Sequence, residues 1–88
     1  MEENLPQMPE ECIWAFNEVS KIGRKQGYTD PNGWRKESVP SHIFKGIGHA
    51  MDFMLGRGGI HLAQAMWRIC AATALAYESI EPPPANDG

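Results

Sequence analysis

Residues 40–55 read PSHIFKGIGHAMDFML, and two patterns run through them at once. Ile43, Ile47, Ala50, Met51 and Met54 recur at helical spacing, and Phe44 and Leu55 widen that apolar side. His42, Lys45, His49 and Asp52 form a polar stripe along the same segment. The spacing predicts a helix from about Pro40 or Ser41 to Gly56. The next apolar segment opens with a second polar stripe, His61, Gln64 and Arg68, after the short turn Gly56-Arg57-Gly58-Gly59. One polar stripe alone makes a wet surface. Two that face each other across a tight turn make a site.

The rest of the chain extends the helical pattern. A first helix is expected from about Pro9 to Gln26, with Glu10 and Glu11 at its positive end and Cys12, Ile13, Phe16, Val19 and Ile22 on its apolar face. Gly27 supplies a stop. Residues 28–39, YTDPNGWRKESV, read as a loop punctuated by Asp-Pro and Asn-Gly. A third helix is expected from about Ile60 to Ile80. No stretch alternates as a strand would, so the fold class is all-α, a compact three-helix domain. Met51 and Met54 read as core filler, and Trp14 and Trp67 as core or interface. Gly46 and Gly48 each cost about 1 kcal/mol in a helix interior. Close helix approach and a ligand against the backbone are their two readings.

Composition narrows the class. Eighty-eight residues make one small domain, with residues 1–8 and the stretch EPPPANDG at 81–88 expected as tails around a helical domain at 9–80. From Ile69 to Tyr77 the third helix is apolar almost all round, and two other short helices can hardly cover it. A homo-oligomer packed through residues 60–80 is therefore expected. Net charge is −3 and no basic block tracks a nucleic-acid backbone, which disfavours duplex binding. Cys12 and Cys70 lack ligand spacing and read as reduced core thiols. No signal peptide or membrane span is visible, so a soluble, cytoplasmic protein is expected.

The order of landmarks then becomes informative. Glu18 sits on the first helix, followed by Gly27-Tyr28, Trp34-Arg35-Lys36, His49, Gly56 and His61-Leu62-Ala63. Over about 65 residues this resembles the N-terminal domain of phage dATP/dGTP diphosphohydrolases, relatives of the all-α nucleotide pyrophosphohydrolases. The resemblance implies an all-α oligomer with a pocket for a nucleotide and its phosphates, and a divalent ion (Mg or Mn) that helps to release pyrophosphate. The chain departs from that pattern at the chemistry. The family's acidic turn is here the basic Gly56-Arg57-Gly58-Gly59, and the wider superfamily's paired Glu-x-x-Glu and Glu-x-x-Asp signatures are absent. A phosphate-bridging ion of that kind needs several carboxylate oxygens. Glu11 and Glu18, seven residues apart, offer with Asp52 only a weak site.

Each candidate residue carries two readings. His49 and Asp52, at i and i+3, form a local bond that settles an imidazole, or a pair facing a ligand or metal. His61 is a first-turn polar residue, or a phosphate contact beside free backbone amides. Arg57 with its glycines suggests an anion cradle, though any helix–helix turn looks similar. Arg68, in a mostly apolar helix, needs an anion: Asp52, Glu18 or a ligand phosphate. Trp34, Arg35 and Lys36 join a flat surface to positive charge and suit a base with its phosphate, or else Trp34 caps the core. No serine or cysteine has a base placed to activate it.

The first expectation is a nucleotide-binding protein of phage type that sequesters a nucleotide or cyclic-nucleotide messenger of host defence, without hydrolysing it and without a cofactor. Its ligand residues are Tyr28, Trp34, Arg35, Lys36, Lys45, His49, Arg57, His61, Gln64 and Arg68, and its place is the host cytoplasm if it is phage-encoded. The second is a Mg- or Mn-dependent dNTP diphosphohydrolase with Glu18, His49 and Asp52 around the ion. A third is a structural or protein-interaction module whose stripes are contacts between subunits.

Overall fold

A computed structural model describes residues 6–78. The expected end of the third helix at Ile80, most of the N-terminal tail and the whole C-terminal tail lie outside the described residues. Within them the protein is all-α: α1, Glu10–Lys25; a 3₁₀ turn, Gly33–Lys36, inside the stretch expected to be irregular loop; α2, Val39–Met54; and α3, Ile60–Glu78.

Local chemistry sets each boundary. Pro9 stands just outside α1 in extended conformation, as its cap rather than its first turn, while Glu10 and Glu11 complement the dipole. Ser38 caps α2, its hydroxyl accepting a hydrogen bond from the Ser41 amide, and Pro40 fits the first turn, where no partner for its missing N–H is required. The α2–α3 turn relies on Gly56 at φ 78° and Gly58 at φ 121°, a region side chains with a Cβ avoid. The Arg57 amide closes it by donating to the Asp52 carbonyl at 3.0 Å.

Helices α2 and α3 form an antiparallel hairpin, and α1 packs on α3 alone. Gly46 explains how close the hairpin is. A Cβ there would lie 3.1 Å from Ile69 Cδ1 and 3.4 Å from the Ala65 carbonyl oxygen. Close helix approach is thus the use of Gly46, whereas nothing in the structure explains Gly48. Phe16 of α1 stacks on Trp67 at 5.6 Å between ring centres, and the indole N–H donates to Ser20. That contact puts Trp67 in the α1–α3 seam, while Trp14 stays exposed.

Among the described residues the buried apolar side chains are three alanines of α3, Ala65, Ala71 and Ala72. Met51 and Met54 are therefore not core filler. They stand exposed because α1 reaches only α3 and leaves the outer side of α2 bare. Phe44, Ile47, Met51, Met54 and Leu55 occupy that side at 49–82% exposure, within an arc of about 100° opposite Gly46. Both cysteines are free and half-buried, lining an open apolar groove of about 810 Å³ between α1 and α3.

Candidate functional site

The two polar stripes do face each other. Because α2 and α3 run antiparallel, the start of the α2 stripe meets the end of the α3 stripe, and the reverse. His42 pairs with Arg68 at 3.1 Å, and His49 with His61 at 3.1 Å. This separates the polar seam into two clusters.

The first centres on a residue the sequence reading overlooked, Glu37. Its carboxylate accepts from Lys45 and from Arg68, and takes the Ser41 hydroxyl at 2.9 Å. His42, fully buried at 0% exposure, lies beside it. His42 Nε2 donates to the Trp34 carbonyl at 2.8 Å, so Nδ1 is left to accept from the Arg68 guanidinium. Those partners fix the ring's tautomer and tie the 3₁₀ turn to the hairpin. Arg68 accordingly finds neither Asp52 nor Glu18 but Glu37, 31 residues earlier. A signal was present: Glu37, Ser41 and Lys45 recur at i, i+4 and i+8, which continues a face of α2 back past its cap.

The Glu37 carboxyl is pulled down from 4.5 to about 2, first by the hydrogen bond from Lys45. Partial burial opposes the shift, and Arg68 and Ser41 reinforce it. A folded-state value below the unfolded one gives stability that is fully present above about pH 4.5 and is lost as pH falls toward 2. Lys45 is half exposed, so screening trims this contribution to about 1–2 kcal/mol. Acid titration followed by far-UV circular dichroism is expected to show that loss between about pH 4.5 and 2 in the wild type, with a shallower loss in Glu37→Gln. Superimposable profiles would remove Glu37 from the account.

The second cluster sits at the hinge. His49 and Asp52 come from the last turns of α2 and His61 from the first turn of α3. The two imidazoles stack at 5.3 Å between centres with their Nδ1 atoms facing. Asp52 Oδ2 lies 3.8 Å from His61 Nδ1, and Asp52 Oδ1 accepts from Arg57 at 2.7 Å. Burial lowers the His49 pKa, with the nearby His61 and Arg68 adding to the effect against Asp52, so its neutral form is favoured. The Gly58, Gly59 and Ile60 amides make no backbone hydrogen bond, as at any helix start.

The remaining sequence candidates fall elsewhere. Arg35 lies over the Trp34 ring at 4.5 Å and pairs with Glu78, and the Trp34 indole donates to the Pro31 carbonyl at 3.1 Å. Trp34 is thus held at the α3 C-terminal end of the hairpin, away from the hinge. Lys36 pairs with Asp30 at 3.6 Å, and Tyr28 is exposed. Lys45 and Arg68 are engaged by Glu37. Glu18 pairs with Lys21 at 3.5 Å on α1, which makes no approach to α2, so the set Glu18, His49 and Asp52 is not assembled. Gln64 stays in the seam, one turn from His61, its buried Oε1 without a hydrogen-bond partner. Arg57, His49 and His61 are therefore the ligand candidates gathered at the hinge. The chain matches no protein-family model, and no curated protein or solved structure is detectably similar to it.

Proposed function

We propose that this protein binds a phosphorylated small molecule of nucleotide type at the α2–α3 hinge and holds it without hydrolysis. The observation that carries the reading is the gathering of the exposed Arg57 guanidinium, His49 and His61 around a single carboxylate, Asp52, at a turn whose Gly58, Gly59 and Ile60 amides make no backbone hydrogen bond. Guanidinium and helix-start amides suit a phosphate. One carboxylate falls short of the set that phosphate-cleaving Mg²⁺ or Mn²⁺ centres use. The open apolar α1–α3 groove, whose lining includes Gly59 and Leu62, offers the base an apolar surface close to the hinge. The likeness to the diphosphohydrolase domain points to the same ligand class, and sequestration of a signalling nucleotide is the role that binding without turnover serves.

The test is calorimetric titration with a panel of linear and cyclic nucleotides, followed by heat release and analysis of the recovered ligand. A saturable ligand recovered intact is the expected result, with affinity reduced about tenfold or more in Arg57→Ala. Pyrophosphate release in the presence of Mg²⁺ or Mn²⁺ would replace this reading with the diphosphohydrolase one. Absence of binding across the panel would reject both.

The bare side of α2 supports self-association as part of the same proposal. The sequence expectation placed the interface on residues 60–80. We place it instead on Phe44, Ile47, Met51 and Met54, whose 3-4-3 spacing is that of a coiled-coil seam.

A further inference from the structure

We propose that His49, Asp52 and His61 form a binding site for one divalent transition-metal ion of the zinc type. The site shares His49, Asp52 and His61 with the proposed phosphate site, but metal titration in the absence of nucleotide tests it separately.

Geometry comes first. One ligand atom from each of the three residues lies within 4.8 Å of the others, and this is the one such set among the described residues. The two Nδ1 atoms stand 3.1 Å apart. In a tetrahedral zinc site with bonds of 2.0–2.1 Å, two nitrogen ligands are separated by about 3.3 Å. The imidazoles therefore already hold close to the spacing an ion requires. Asp52 Oδ2, at 3.8 Å from His61 Nδ1, is too far for a hydrogen bond and needs only a small approach to become the third ligand. A histidine–histidine hydrogen bond alone explains the 3.1 Å contact but gives Oδ2 no partner in the cluster.

The surroundings support the same conclusion. Arg57 holds the other oxygen, Oδ1, at 2.7 Å, which orients the carboxylate as an outer partner of a metal ligand does. The hinge that carries Arg57 is itself pinned by its amide bond to the Asp52 carbonyl. Two ligands come from one turn of α2 and the third from the start of α3, so the site bridges rigid elements. Two nitrogens and one oxygen select zinc, cobalt or nickel over magnesium and calcium, which prefer all-oxygen shells.

The test uses untagged full-length protein, stripped with chelator and dialysed, then titrated with Zn²⁺ and with Co²⁺. One equivalent of zinc per chain by elemental analysis is expected. Cobalt is expected to give visible d–d bands without a thiolate charge-transfer band, and excess Mg²⁺ should leave them unchanged. His61→Gln and Asp52→Asn should lose the bands while keeping wild-type far-UV circular dichroism, and Arg57→Ala should weaken zinc by about tenfold. His61 lies at the helix start, so its variant carries the test if His49→Gln does not fold. Substoichiometric zinc, a thiolate band pointing to Cys12 or Cys70, or undiminished affinity in both His61→Gln and Asp52→Asn would overturn the site.

Discussion

Glu37→Ala is expected to lower unfolding free energy by about 2–3 kcal/mol. The cause is what the substitution leaves behind. Arg68 is 22% exposed and Glu37 29%, so the guanidinium sits mostly out of water and depends on the carboxylate for its charge balance. Without it, Arg68 keeps only the His42 ring as a partner. Its anchoring role for His42 weakens in turn, and with it the bond from His42 Nε2 to the Trp34 carbonyl that docks the 3₁₀ turn. A fully buried pair broken on one side costs about 3–5 kcal/mol, and partial exposure places this one lower. In a domain of this size the loss corresponds to a fall in Tm of roughly 10–20 °C.

Three comparisons separate this mechanism from loss of surface charge. Glu37→Gln keeps an acceptor at the same place and should cost about half as much. Lys45→Ala removes a half-exposed cation that can find water, and should cost under about 1 kcal/mol. The Glu37→Ala loss should also survive high salt, because partly buried pairs are poorly screened. Thermal melts at neutral pH measure all of these. A Glu37→Ala Tm within about 3 °C of the wild type would mean that the network is ornamental.

The contrast between Glu37 and the stripes shows what the sequence made legible. Helical periodicity around 40–55 and the glycine turn that follows specify an antiparallel hairpin, because short-range spacing determines which side chains share a face. The facing of His42 with Arg68 and of His49 with His61 follows from that hairpin alone. Glu37 was hidden because it acts across 31 residues from a stretch that reads as loop, and its helix-face register shows only once the Ser38 cap is recognised. Trp34 and Arg35 looked like a stacking platform by composition. The structure spends them on each other and on Glu78, an outcome that depends on where the 3₁₀ turn docks. Met51 and Met54 matched a core pattern, yet an apolar face does not say what, if anything, covers it. Whether α1 or another molecule does so depends on the path of the 28–39 connection, which no periodicity encodes.

The proposed self-association rests on that bare face, and its disruption is the second large effect expected. Phe44, Ile47, Met51 and Met54 repeat with the seam spacing of a two-stranded coiled coil, and Leu55 extends the row. A chain whose buried apolar side chains, among those described, are three alanines draws little stability from its interior. Burying large apolar side chains at about 25 cal/mol per Å² is the contribution that such a hairpin lacks and that a partner's α2 would supply. The wild type is therefore expected to sediment as a dimer or larger, with a Tm that rises with protein concentration. The double variant Phe44→Ser, Met51→Lys should become monomeric and lose that concentration dependence. It should also melt well below the wild type, although both residues are exposed in the single chain. Surface substitutions normally shift stability by less than about 0.5 kcal/mol, so a large destabilisation at two exposed positions has a clear source only in a covered face. A wild type that stays monomeric throughout would reject self-association, and a double variant with unchanged mass and melting would return the interface to α3.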